Sequence, residues 1–150
     1  MSPGSKTKMP AIKIAIIAAE FNADLMEGMI EAATQETRDA GATLVRVLRI
    51  PGCYEAPLIA KLQLELEEID ALVVLGFIER GATLHGEVMG HVVHAALVRL
   101  ELKYRKPIGL GIIGPGATQE QAEERKSEYA RAAVRAALRL SELVTSFKDQ

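Results

Sequence analysis

The sequence predicts an α/β protein, a parallel β-sheet with helices on both faces. Three observations carry that expectation. Four short apolar runs alternate with four longer segments of helical spacing. Three of the runs are apolar almost throughout, as strands covered on both faces require. Repeated strand and helix units joined by right-handed crossovers close as a parallel sheet with helices above and below it.

The elements follow in order. "IKIAIIAA", residues 12–19, is the first strand. Leu25, Met26, Met29, Ile30 and Ala33 then recur at helix spacing and make one buried stripe. "TLVRVLRI", residues 43–50, is the second strand, and Arg46 and Arg49 mark it as an edge. Leu58, Ile59, Leu62, Leu66 and Ile69 form the second buried stripe. The third strand is "ALVVLGFI", residues 71–78, and the helix after it places His85, Met89, Val92 and Ala96 on one apolar face. "PIGLGII", residues 107–113, is the fourth strand. Pro115 and Gly116 then break the chain, Thr118 and Gln121 form a capping-box pattern, and Ala130, Val134, Ala137 and Leu138 give the last helix its stripe. Residues 1–10, "MSPGSKTKMP", read as a flexible tail, and residues 11–150 as one folded domain.

Composition narrows the function. At 150 residues the chain buries about two-thirds of its extended surface on folding, so it needs neither disulfide nor metal to build a core. A formal charge of -2, with Lys and Arg scattered and few aromatic residues among them, lacks the footprint of a nucleic-acid binder. No apolar stretch of signal-peptide length precedes the first strand, and nothing later reaches membrane-spanning length. The single Cys53 has no internal partner and suits a reducing compartment, with the cytoplasm as the default.

In a sheet of this kind ligands bind beyond the carboxyl ends of the strands, where the segments "EFN", "PGCYE", "RGATLH" and "GPGAT" converge. Phe21, Asn22, Glu55, Thr83 and His85 are thereby brought to one rim. Asn22 directly precedes a helix and reads as its N-cap, and Glu55 complements a helix dipole. Phe21 is compatible both with the core and with stacking on a heterocycle. Cys53 reads as a small buried hydrophobe rather than a nucleophile, because no cationic partner is near it in sequence. "RGAT" offers backbone donors and a hydroxyl suited to an anion, and "GPGAT" is a weaker candidate of the same kind. Glu87, His91 and His94 share a helix face and can be drawn as metal ligands. They lie off the apolar stripe, so a solvated or subunit-contact face is preferred and no metal is expected. His85 opens a helix beside the anion turn, where a packed ring and a proton carrier are equally open readings.

Taken together, the four rim segments resemble those of the 6,7-dimethyl-8-ribityllumazine synthase family. "EFN" is similar to the family's aromatic-Asn pair, "PGCYEAP" to its Pro-Gly-small-aromatic-Glu turn, "RGATLH" to its Arg-Gly-x-Thr-x-His signature, and "QAEER" to the Gln-Ala-x-x-Arg of its last helix. The resemblance implies a flavodoxin-like domain whose four-stranded parallel sheet has the order 2-1-3-4. It implies a cofactor-free condensation of 5-amino-6-ribitylamino-pyrimidinedione with 3,4-dihydroxy-2-butanone 4-phosphate, a step of riboflavin biosynthesis. Carried over by position, Phe21 with Asn22 meets the pyrimidine, Cys53, Tyr54 and Glu55 hold the ribityl side, and Phe77, Ile78 and Glu79 line the ring pocket. Ala82 and Thr83 bind phosphate with Arg125, and His85 transfers protons. The resemblance further implies a pentamer or a multiple of pentamers, with Leu110 and Arg125 reaching a neighbour's site. The alanines from Ala130 to Ala137 are expected to allow close subunit packing.

The chain departs from the common bacterial pattern in four places. Leu110 replaces an aromatic residue, Glu79 stands at a usually apolar position, and "GIIGPGAT" replaces a shorter turn. A Gly-Asn-Lys-Gly segment is missing, which leaves Arg131 as a weak candidate for a second phosphate cation; the last two features resemble archaeal members. The rivals are an archaeal-type riboflavin synthase, over which the intact "RGATLH" and "QAEER" favour the lumazine synthase resemblance, and a noncatalytic lumazine- or flavin-binding scaffold that forms shells. A receiver-type signalling domain needs an Asp ending the third strand, which here reads "LGFIERG". A nicotinamide-binding domain needs a glycine fingerprint after the first strand, and none is present.

Overall fold

The computed structural model describes residues 10–148; the expected tail over residues 1–10 lies outside them apart from Pro10. The elements are β1 (Lys13–Ala19), α1 (Ala23–Asp39), β2 (Thr43–Ile50), a 3-10 turn (Cys53–Glu55) running into α2 (Ala56–Leu64), β3 (Ala71–Glu79), α3 (His85–Tyr104), β4 (Ile108–Ala117) and α4 (Gln119–Lys148). All strands pair in parallel, in the order β2-β1-β3-β4, which is the expected 2-1-3-4. This is the flavodoxin-like α/β arrangement.

Burial along the strands follows from that order. β1 from Ile14 onward and β3 up to Ile78 are buried throughout, because neighbours flank them and helices cover both faces. β2 is an edge and stays half-buried. Its two arginines are an odd number of positions apart, so their side chains leave opposite faces of the sheet. Arg46 binds Gln63 and Glu68 on one side, and Arg49 donates to both carboxylate oxygens of Glu27 on the other, at 3.0 and 3.1 Å. β4 runs further than its apolar run, through "GPGA" to Ala117.

One face of the sheet is covered by α1 and α4. Leu25, Met26, Met29, Ile30 and Ala33 are buried there with Ala130, Val134 and Ala137, and Leu138 packs beside them half-buried, as the spacing predicts. The capping box forms: Gln121 N donates to Thr118 Oγ1 at 3.2 Å and Thr118 N donates to Gln121 Oε1 at 2.9 Å. Ala130, Ala133 and Ala137 are spent inside the subunit, contrary to the expectation that the whole alanine run serves a neighbour. Their small size lets α4 close on β4, where a Cβ on Gly109 would overlap the Ala133 carbonyl oxygen. Only Ala132 and Ala136 of that run face outward.

The other face is covered by α2 and α3, and both stripes differ from the prediction. In α2 the buried residues are Ala56, Ala60 and Leu64, whereas Leu58 is 64% exposed and Leu62 and Leu66 are exposed too; Ile69 is buried but lies beyond the helix. In α3 the buried line is Gly90, Val93 and Leu97. Met89 and Ala96 flank it half-buried, and His85 and Val92 are exposed. The physical reason is the same in both helices. Small residues set a close approach to the sheet with Leu64, Val93 and Leu97 packed beside them, and that face leaves Leu58, Leu62 and Val92 turned away from it.

Candidate active site

The rim is built by the backbone where the strands end. Glu20 N donates to Ile50 O at 2.7 Å, holding the exits of β1 and β2 side by side. Asn22 follows in the left-handed region at φ 61° and ψ 61°. It does not act as the expected cap: its side chain makes no capping bond, and its Nδ2 is buried without a hydrogen-bond partner among the described residues. Asparagine is one of the few side chains that tolerates this backbone conformation, which turns the chain sharply and leaves Phe21 standing out at 56% exposure. At the end of β2, Glu55 N donates to Gly52 O at 3.2 Å and closes the turn that carries Cys53, Tyr54 and Glu55. At the end of β3, Arg80 N donates to Ala117 O at 2.7 Å. The loop then rises to α3, where His85 N donates to Thr83 Oγ1 at 3.4 Å; the hydroxyl proton of Thr83 is left free to donate.

These segments enclose a cavity of about 430 Å³. Phe21, Glu55, Glu79, Thr83 and His85 line its mouth and walls. Cys53, Phe77 and Ile78, all buried, also line it. Sequence reasoning missed Ala19, Pro51, Gly52, Gly81, Gly86 and Met89, which line it as well. For three of them the available signal was a glycine beside a chosen residue, Gly52 before Cys53, Gly81 before Ala82 and Gly86 after His85, since backbone without a side chain leaves room for a ligand. Cys53 sits deep enough that burial pushes its thiol up to about 11, with the nearby Glu55 charge adding to the effect and a backbone hydrogen bond with Phe77 opposing it. The thiol therefore stays protonated at neutral pH and acts as a small hydrophobe. It is also tightly seated: a Cβ on Gly76 would stand 2.6 Å from its Sγ.

Among the remaining candidates, Tyr54 lies beside the cavity with its ring edge-on to that of His85, centroids 6.3 Å apart. Ala82 is in the exposed loop between Arg80 and Thr83. Leu110 pairs with Val74 in the middle of β4, and Arg125 and Arg131 lie along α4; none of the three lines the cavity of its own subunit. His94 places Nδ1 2.7 Å from Gly90 O on its own helix, and among the described residues no three His, Cys, Asp or Glu side chains gather as a metal-ligand set.

The fourth rim segment, "GPGAT", backs the site instead of lining it. Gly114 adopts φ +92°, and a Cβ there would overlap Ile78 O. Pro115 rests on α3, where a Cβ on Gly90 would meet its Cδ at 2.7 Å. The turn thus clamps the helix that carries His85 against the end of β3. It also opens a second cleft, of about 460 Å³, beside the first.

The sequence model of 6,7-dimethyl-8-ribityllumazine synthase matches residues 11–145. The chain belongs to that family. Relatives bearing the lumazine synthase name include one from Aeropyrum pernix, 42% identical over 142 residues, 94% of this chain and 93% of its own length. One from Pyrobaculum arsenaticum is 40% identical over 130 residues, 87% of each chain, and one from Metallosphaera sedula is 39% identical over 139 residues, 93% of this chain and 92% of its own. The lumazine synthase match contains all four rim segments and every candidate residue above.

Proposed function

We propose that the protein condenses 5-amino-6-ribitylamino-pyrimidinedione with 3,4-dihydroxy-2-butanone 4-phosphate to 6,7-dimethyl-8-ribityllumazine. The observation that carries this reading is the single cavity in which Phe21, Glu55, Thr83 and His85 meet from three separate strand ends. Phe21 presents an exposed ring on which the pyrimidine stacks, with Asn22 setting the turn behind it. Glu55 accepts hydrogen bonds from the ribityl hydroxyls while Cys53 and Tyr54 bound that side, and Phe77, Ile78 and Glu79 wall the ring. The Ala82–Thr83 backbone and the Thr83 hydroxyl take the phosphate.

The chemistry needs a proton carrier. The 5-amino nitrogen attacks the ketone carbon and water leaves as the imine forms. A proton then leaves C3 of the butanone unit, its electron pair forms the C3–C4 double bond, and the C4–O bond breaks as phosphate departs. The resulting enol takes a proton at C4 and loses one from oxygen, which makes C3 a second carbonyl carbon. Finally the ribitylamino nitrogen attacks the second carbonyl carbon, and another water leaves as the ring closes. Each step takes a proton from nitrogen, carbon or oxygen, or delivers one to oxygen or carbon, and His85 at the cavity mouth is placed to carry it. No resident cofactor or metal is required by these steps.

The site is shared between subunits of a pentamer or a multiple of pentamers, with Leu110 and Arg125 supplied by the neighbour. Two observations support this: neither residue lines its own subunit's cavity, and the α2–α3 face exposes Leu58, Val88 and Val92. A cytoplasmic setting fits a lone buried thiol, and no described helix is long and apolar enough to cross a membrane.

The deciding experiment supplies both substrates to the purified protein and follows lumazine fluorescence. Lumazine formation is expected; conversion of lumazine to riboflavin instead would move the chain to the riboflavin synthase rival, and neither reaction would leave the scaffold reading. For the shared site, mixed His85→Ala and Arg125→Ala subunits, dissociated and reassembled, should exceed the activity of either variant alone. Reassembled mixtures that contain both variants and gain nothing would show that the two residues do not meet across an interface.

A further inference from the structure

We propose that Arg80 is a phosphate-binding residue of its own subunit, acting from the cleft beside the ring cavity; this rests on the functional reading above. Charge is the starting point. Glu55 and Glu79 line the ring cavity, and no Lys or Arg among the described residues lines it. A dianionic phosphate ester entering at Thr83 therefore meets two carboxylates from the subunit that binds it, and it needs cations close by.

The adjoining cleft has the required group. It shares Glu79, Gly81, Thr83 and Gly86 with the ring cavity, so the two spaces meet at the anion turn. Its further lining includes Arg80, Glu87 and His91, with Pro115 and Gly116 closing the far side. Arg80 is exposed and makes no ion pair with any described carboxylate, although Glu79 and Glu87 line the same cleft. Its backbone is fixed by the 2.7 Å bond to Ala117 O, so the side chain starts from a held point three residues before Thr83. An always-charged planar guanidinium left free beside a hydroxyl and backbone donors is suited to bidentate capture of a phosphate. Arg131, like Arg125, lines neither space, so within one subunit Arg80 alone supplies a cation to this cleft among the described residues. In the shared site Arg125 then approaches from the neighbour and Arg80 from the home subunit, so the phosphate is held from two sides.

The test uses the assembled protein with inorganic phosphate as the probe, titrated calorimetrically against wild type, Arg80→Gln and Arg80→Lys, alongside steady-state kinetics. Arg80→Gln should weaken phosphate binding and raise the KM for the butanone phosphate, each by roughly tenfold. The KM for the pyrimidine and the assembly size should stay unchanged, and Arg80→Lys should recover part of the loss, since it restores charge without the fork. Unchanged phosphate binding in Arg80→Gln, no phosphate binding by the wild type, or equal weakening of both substrates would overturn the assignment. If phosphate binding depends on Arg80 while wild type forms no lumazine, the anion site stands and the functional reading fails. If lumazine forms equally well in Arg80→Gln, with phosphate binding intact, only the role of Arg80 fails.

Discussion

The two faces of the sheet solve the same burial problem differently. On the α1–α4 face the helices present continuous stripes that interlock with the strands, down to an alanine carbonyl lying where Gly109 has no side chain. On the α2–α3 face the helices pack inward through Ala56, Ala60, Leu64, Gly90, Val93 and Leu97, while Leu58, Leu62, Val88 and Val92 point outward. Over the sheet the first face is complete within one chain, and the exposed Leu140, Leu143 and Phe147 gather at the far end of α4. The second is unfinished, and it is the one whose turn and helix start carry Cys53, Glu55 and His85. A ligand site placed there can borrow groups from whatever covers the face, which a site on the finished side cannot do.

Substitutions can break or sharpen that contrast. The largest effect belongs to the finished face: Leu25→Ala, at a side chain 1% exposed, should cost about 2 to 5 kcal/mol in chemical denaturation. A loss below 1 kcal/mol would mean that the α1 stripe is less firmly packed than its burial indicates. Next comes the cavity on the other face. The folded protein holds the Cys53 proton to about pH 11, whereas the unfolded thiol releases it around its ordinary value of 9.0. The unfolded state thus binds fewer protons in that window, so the stability associated with this group is fully present below about pH 9 and declines as pH rises towards 11. The decline should be on the order of 2 to 3 kcal/mol. Denaturation midpoints measured from pH 8 to 11 should fall less steeply in Cys53→Ala; parallel curves would place the thiol in contact with water.

His85→Ala tests the cavity mouth, where the ring is exposed and bears little packing. The variant should fold and keep its denaturation midpoint, yet lose roughly tenfold to a hundredfold in kcat. Unchanged kcat would return His85 to a structural role. The smallest effect is the counterpart of the first: Leu58→Ala on the unfinished face should change the stability of the dissociated subunit by no more than about 0.5 kcal/mol. A cost similar to that of Leu25→Ala would show that the exposed leucines are supported from within the chain, and the contrast between the faces would dissolve.

The same contrast explains what could be read in the sequence. β2 spans the residues of its apolar run, and α4 begins at its capping box, because alternation, charge and caps are local signals. The α1 and α4 stripes were legible since their partners are in the same chain. Leu58, Leu62 and Val92 were misassigned because spacing locates an apolar face without saying what it packs against. β4 was read too short because glycine and proline mark turns, yet here the extended chain runs through them. At the site, the convergence of Phe21, Glu55, Thr83 and His85 followed from strand polarity alone. The unbonded, inward-turned Asn22 did not, since a residue before a helix carries the same letter whether it caps the helix or bends the chain.

Cys53 and Gly76 restrict the order in which this cavity floor can change over evolutionary time. With Sγ only 2.6 Å from where a Cβ at position 76 would stand, Gly76→Ala has no room while the sulfur is present. Cys53→Ala removes the obstructing atom, after which the next-nearest atoms to the methyl group at position 76 are those of Ile112, at ordinary contact distances of 3.6 and 3.8 Å. The two positions therefore share one volume, and a lineage can move that volume from one to the other by a single path, in which the sulfur is lost first.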